Sequence, residues 1–191
     1  MPAPELPIIA FPTPKAMEAW LKKHAASSPG IWLRFFKKDS GEKSVTYLEA
    51  LDVALCYGWI DGQAKPGDTR SWIQRFTPRR PRSIWSKRNR EFVARLTEAG
   101  RMTPAGQAAI DAAKADGRWD AAYDSPKNMS VPEDFVLAVQ KHKKAAATFA
   151  TLNKANTYAI AWRLTTAKKP ETRQRRFDAL LAMLKKGEKL H

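Results

Sequence analysis

The residues with chemistry to offer crowd into one stretch, Cys56 to Arg90, which reads CYGWIDGQAKPGDTRSWIQRFTPRRPRSIWSKRNR. It sets Tyr57, Trp59, Trp72, Phe76 and Trp85 among Arg70, Arg75, Arg79, Arg80, Arg82, Lys87, Arg88 and Arg90, with Asp61 near its start. A guanidinium can stack on an aromatic face and donate a bidentate hydrogen-bond pair at once, so this mixture suits a planar or anionic partner. The candidate ligand-binding set is Trp59, Asp61, Arg75, Arg79, Trp85 and Asn89, with Asp61 orienting one arginine. Asn89 shares an apolar helical seam with Trp85, Phe92 and Leu96. A buried Asn must bond to a neighbouring loop or to a ligand. The set is expected to converge on one recess.

Catalytic readings find less support, and no catalytic residue is assigned. Asp52 and Asp61 can serve as acid and base around Tyr57 and Arg75 in a hydrolase-like enzyme. They lie nine residues apart, on a helix and its exit turn, and need not face each other. Asp52 sits on a seam with Leu48, Leu51, Leu55 and Trp59, where a carboxylate is costly unless paired, and Arg34 or Arg75 is the expected partner. Cys56 has no adjacent His or helix N-terminus to activate it and reads as a small core residue. Ser83 and Lys87 are four apart, not the three of a Ser-x-x-Lys nucleophile. His24 falls on an apolar stripe and reads as structural. Three scattered His and a lone Cys give no metal-ligand spacing, and no motif implies a cofactor.

The balance of charge bears on partners. Of 191 residues, 34 are Lys or Arg and 19 Asp or Glu, a net charge of +15. Residues 70–95 hold nine basic and one acidic side chain, and residues 141–191 thirteen and three. Two basic blocks attract polyanions, so a nucleic-acid-binding protein using 70–95 and 141–191 is the alternative to a binder of a small anionic or aromatic ligand. Arg/Trp interleaving resembles a stacking surface for single strands, but no recognised nucleic-acid module can be read. A single cysteine fits a reducing compartment. The N-terminus lacks a signal-peptide pattern, and no apolar run approaches the roughly 20 residues that span a bilayer. A cytoplasmic protein is expected; the oligomeric state is not legible.

These groups need a scaffold. Pro7–Phe11 reads as a short strand or lead-in, and Thr13-Pro14 opens a helix carrying Met17, Trp20, Leu21 and His24 on one face. Ile31–Lys38 alternates as a strand, with Arg34 between Trp32 and Phe36 awaiting a carboxylate. Thr46 and Glu49 form a capping box for a helix expected to reach Trp59 and to end at the turn Asp61-Gly62. Ser71–Thr77 is a second clear strand. Ser83 or its neighbour caps a helix to Gly100, and Thr103-Pro104 opens an Ala-rich helix closed by Gly117. The fold class is α+β: a small antiparallel or mixed sheet of about three strands packed with helices, then an all-helical C-terminal segment. The expected domains are an α+β domain over 1–120, a linker over 121–131 holding Pro126 and Asn128, a helical region over 132–186 and a frayed tail over 187–191. Ser130 and Glu133 repeat the capping-box pattern, and 132–142, 144–152, 154–166 and 170–186 look helical. Lys168, Lys169 and Arg173 stand at the N-terminus of the last as a secondary anion site.

The runs GWIDG, FTPRRPRSIWSKRN, Gly100–Gly106 and TTAKKPETRQRR together resemble the bacterial YdeI/OmpD-associated family, often labelled bacteriocin-protection. The likeness runs from about Pro7 to Lys186. Its most characteristic positions are Trp59, Asp61, Gly62, Arg75, Pro78, Arg79, Trp85, Ser86 and Asn89, then Lys168, Pro170, Glu171 and Arg173. The resemblance implies an α+β part followed by a helical segment, and brings no reaction or catalytic residue with it. Its label suggests tolerance of cationic antimicrobial peptides, a direct role that a +15 chain would resist by repulsion.

Overall fold

The computed structural model describes residues 5–124 and 128–190, so that within the expected linker Ser125, Pro126 and Lys127 lie outside the described residues. The chain forms two compact units, Met1–Ala122 and Tyr123–His191.

The first unit is built on a four-stranded mixed sheet, one strand more than expected. Its strands are β1 (Ile8–Ile9), β2 (Ile31–Phe36), β3 (Trp59–Pro66) and β4 (Ser71–Pro78), in the order β1-β2-β4-β3. β1 runs parallel to β2; the other pairs are antiparallel. The extra strand is β3. The helix before it, α2 (Tyr47–Cys56), stops short of Trp59 because Gly58 takes φ 70° and turns the chain. Asp61-Gly62 is therefore strand, not turn, and a register shift between Asp61 and Ala64 absorbs Gly62. β3 lies on the sheet edge, where Pro66 costs no ladder bond.

Alternation in β2 separates the two faces. Ile31, Leu33 and Phe35 pair across β4 with Phe76, Gln74 and Trp72. Met17 and Leu21 of α1 (Pro14–His24) and Ala50, Val53 and Ala54 of α2 close over this face, with Trp59 at its centre. At the α1 C-terminus His24 is exposed, stacked on Trp20 at 4.8 Å between centroids, rather than buried in the stripe. The opposite face presents Ile8, Trp32, Arg34, Ile73, Arg75 and Lys65.

A second core joins α2 to α3 (Lys87–Glu98) and α4 (Pro104–Ala115) through Leu51, Leu55, Trp85, Val93, Leu96 and Ile110. Ser86, not Ser83, caps α3 by accepting from the Asn89 amide at 3.1 Å, so Trp85 precedes the helix. α4 sits tight on the end of α2. Thr103 donates to the Cys56 carbonyl from its hydroxyl at 2.6 Å and from its amide at 3.1 Å. A Cβ on Gly106 would overlap that same carbonyl oxygen. The buried Cys56 thiol is pushed above its ordinary pKa by desolvation, as an inert core residue should be.

The second unit holds α5 (Glu133–Gln140), α6 (Lys143–Ala150), α7 (Lys154–Thr165) and α8 (Pro170–Lys186). Phe135, Val139, Ala145, Ile160, Leu164, Leu180 and Leu184 are its core, and Phe135 meets Phe177 edge-on at 5.0 Å. The capping box expected at Ser130 does not form: Pro132 is the N-cap of α5 and makes no side-chain cap bond. Nor is the tail loose as far as Leu190. That residue packs on the core, and its amide donates to Oδ1 of the buried Asn156 at 3.0 Å.

Candidate functional site

The six sequence candidates do not share one recess. Trp59 is 1% exposed, spans the first core, and donates its indole N–H to the Ala25 carbonyl at 3.3 Å. Trp20 meets it edge-on at 6.0 Å. Its role is packing. Asp61 Oδ2 accepts from the Tyr47 hydroxyl at 2.9 Å and from Gln74 Nε2 at 3.0 Å, tying α2 to the β3–β4 hairpin. Arg75 is exposed on the far side of the sheet, its guanidinium lying over Gly62. A one-residue step along a strand changes the face, which separates Arg75 from Gln74 and Phe76.

Arg79, Trp85 and Asn89 lie on the other side, and here a second aromatic joins them. Pro78 ends β4, and the next amide, Arg79, donates to the Gly58 carbonyl at 2.9 Å. The Arg79 guanidinium lies 3.5 Å above the Trp85 ring and donates to the Ile84 carbonyl at 3.3 Å. Trp119 meets the Trp85 ring at 4.9 Å, tilted by 60°. Arg90 stands over Trp119 at 5.1 Å and donates to its carbonyl at 2.9 Å, and the Lys114 ammonium stands over the same ring at 5.5 Å. Two indoles in edge contact, Trp85 and Trp119, are thus each covered by an arginine, Arg79 and Arg90. Beside Trp119 opens a groove of about 440 Å³ lined by Lys87, Arg90, Glu91, Ala94 and Trp119.

Two supports fix this stack. Buried Arg118 donates from Nε to both Asp116 oxygens, at 2.8 and 2.6 Å, and from Nη1 to the Ser83 carbonyl at 2.9 Å. That bond pins the Pro81–Ile84 connector to the chain segment bearing Trp119. Asn89, 8% exposed, occupies the first turn of α3 next to Arg88 and Arg90. The Trp85 indole N–H is buried with no acceptor among the described residues, an unusual cost for a core Trp.

Trp119, Lys114 and Arg118 escaped the sequence reading because they lie on α4 and the turn after it, at the supposed edge of a linker. One signal was present: a Trp flanked by charge after a helix-closing glycine has no reason to be in a disordered connector.

Asp52 is paired, as a carboxylate on an apolar seam should be, but with different partners from those expected. Arg95 of α3 donates to it at 2.6 Å and Arg101 lies at 3.8 Å. Arg34 instead bonds Asp68 at 2.7 Å, across the hairpin end. The hydrogen bond and charge of Asp52 hold the Arg95 guanidinium pKa above its usual value. Asp52 and Asp61 are drawn into separate networks and do not form an acid–base pair around one cleft. Tyr57, the group between them, has its phenol pushed up by burial.

In the second unit, Arg173 is taken up by both oxygens of Asp134, at 2.8 and 2.9 Å. Lys168 and Lys169 are exposed ahead of Pro170. Among the described residues no cluster of His, Cys, Asp and Glu can hold a metal, and no helix is long and apolar enough to cross a membrane.

Residues 9–109 match the family model described as a domain of unknown function, DUF8412. Residues 128–187 match the model described as bacteriocin-protection, YdeI or OmpD-associated. The likeness to that second family is therefore narrower than the motifs implied: GWIDG and FTPRRPRSIWSKRN fall inside the first match. No curated protein and no solved structure matches the chain. The chain belongs to the DUF8412 family, and the segment behind that domain matches the model described as bacteriocin-protection, YdeI or OmpD-associated.

Proposed function

We propose that the chain is a non-catalytic binding protein whose first unit takes a small planar anion in the groove beside Trp119. The observation that carries this is Trp119 at that groove with Arg90 over its ring, backed by the edge-on Trp85 that carries Arg79. An aromatic ring of the ligand would lie against Trp119 while Arg90 and Lys114 answer its charge. Cation–π contacts contribute about 0.5–2 kcal/mol each, rising as water leaves, so cations held at Trp119 strengthen as a flat ligand displaces water from the groove. The separate engagement of Asp52 and Asp61 supports binding over hydrolysis. A cytoplasmic site of action belongs to the same proposal, supported by a single buried cysteine, Cys56, which leaves the chain no internal disulfide.

A link to antimicrobial tolerance rests on the description of the C-terminal family. It would be indirect, because a chain of net charge +15 repels a cationic peptide.

Isothermal titration with nucleoside monophosphates and aromatic carboxylates tests the groove. At least one class should bind and raise the unfolding temperature, and Trp119→Ala should abolish both effects. Binding that survives Trp119→Ala, or no binding by either class, would sink the proposal.

A further inference from the structure

Among the described residues, helices close over one face of the sheet only. The other carries a row formed by Ile8, Trp32 and Arg75, and next to it a row in which Arg34 and Lys65 flank and bury Ile73, 4% exposed. Ile8 is 51% exposed, and Arg75 and Lys65 are exposed too. The Lys65 ammonium stands 4.2 Å over the half-buried Trp32 ring. Among the described residues Arg75 and Lys65 have no carboxylate partner; Asp68, at the hairpin end, is occupied by Arg34 and Ser71. Gly62 has no side chain to lift Arg75 off the strand, since a Cβ there would come within 3.3 Å of its Nε. The result is a sheet face without a helix over it among the described residues, where a half-buried indole lies beside two cations, Arg75 and Lys65, that no carboxylate pairs with.

We infer that this outer face binds single-stranded nucleic acid: the exposed Lys65 side chain swings off the Trp32 ring to a phosphate, a base takes its place on the indole, and Arg75 meets a flanking phosphate. Charge complementarity selects a polyanion, and a flat aromatic selects one whose bases are unstacked. A duplex fits poorly, because among the described residues this face carries strands and no helix to enter a groove. The inference is independent of the groove beside Trp119, which lies on another part of the unit's surface.

Fluorescence anisotropy with end-labelled 15-mers of thymidylate and uridylate, and with a 15-base-pair duplex, tests it between 50 and 200 mM salt. Lys65→Ala/Arg75→Ala should weaken single-strand binding about 10-fold and reduce the salt slope by about 1.4, or 0.7 for each phosphate no longer neutralised. Both side chains are exposed, so the variant should fold, which circular dichroism checks. Trp32→Ala should weaken binding by about 5-fold or more while Trp32→Phe, still flat, retains most of it. Lys22→Ala/Lys23→Ala on α1, of equal charge change, should alter affinity less than about 2-fold. Equal losses from the two double variants would reduce the effect to net charge and overturn the assignment. So would indifference to Trp32→Ala, or duplex binding as tight as single-strand binding.

Discussion

Replacing Gly106 by alanine isolates the contact that seats α4 on α2. The residue is helical with an ordinary φ, so alanine adds no backbone strain and on helix propensity alone should stabilise by up to about 1 kcal/mol. The new methyl, however, would overlap the Cys56 carbonyl oxygen and stand 2.8 Å from the carbonyl carbon. Both obstacles are backbone, which cannot rotate aside. α4 must withdraw, and the two bonds from Thr103 to Cys56 stretch with it. Overpacking costs about 1–3 kcal/mol and each weakened hydrogen bond about 1 kcal/mol, so after the propensity gain the net expectation is about 2–4 kcal/mol of destabilisation. Urea unfolding followed by tryptophan emission is the assay, since six of the seven tryptophans lie in the first unit. Gly100→Ala is the comparison. Gly100 has φ 65° with nothing within 4 Å, so only the left-handed penalty of about 1–2 kcal/mol applies. A Gly106→Ala variant as stable as the parent would refute the close seating of α4.

Other perturbations reach different parts of the structure. Asp52→Asn should cost about 1 kcal/mol in the same assay, because Arg95 and Arg101 are about half exposed and water can take them back. The Thr46 amide and hydroxyl hold Glu49 below its usual pKa, and Ser71 and the Arg70 amide do so for Asp68. Their contribution is complete above the ordinary carboxylate pKa near 4 and is lost as pH falls through the lowered folded values. Acid titration of stability should therefore show a limb below roughly pH 4 that Glu49→Gln makes shallower. Cys56, 4% exposed with a raised thiol pKa, should react with a disulfide reagent only after unfolding; rapid reaction in the native protein would contradict its burial. Asn156→Ala should cost about 1–3 kcal/mol and free the chain around Leu190, read out by faster exchange of its amide.

Some of this fold could be read from residues alone. Alternation in IWLRFF and SWIQRFT marks β2 and β4 because each strand has one buried face. The three-to-four spacing of Phe177, Leu180, Leu181 and Leu184 marks α8 for a like reason. β3 was illegible because an edge strand with one bulge needs neither alternation nor β-formers: WIDGQAKP has a glycine, an aspartate and a proline, and mostly exposed side chains. Leu48, Leu51, Leu55 and Trp59 keep helical spacing across Gly58, so periodicity could not place the end of α2 there. At α3 two serines three residues apart, Ser83 and Ser86, offer equally good caps. Tertiary packing of Trp85 chooses the second. That Asp52 is paired follows from its neighbours; that Arg95 is its partner depends on how α3 crosses α2, and local sequence does not encode it.

The arginines of the central stretch divide by what their guanidinium groups already touch. Arg79 is laid on Trp85 and bonded to a carbonyl, and Arg90 is laid on Trp119 and bonded to a carbonyl. Removing either takes away packing as well as charge, so weaker binding in such a variant cannot by itself identify a ligand contact. Arg75 has no such engagement, and the strand beneath it is a glycine. Among the described residues no carboxylate pairs with it, and its removal should leave stability within about 0.5 kcal/mol of the parent. A side chain the fold does not need, set on the open face beside Trp32, is where a function can be separated from stability. Arg75→Ala and Arg79→Ala, compared in both melting and binding, should therefore behave oppositely: the first stable and binding-impaired, the second destabilised whatever its binding. If Arg75→Ala were instead the destabilised one, the open face would be a structural surface and not a place of recognition.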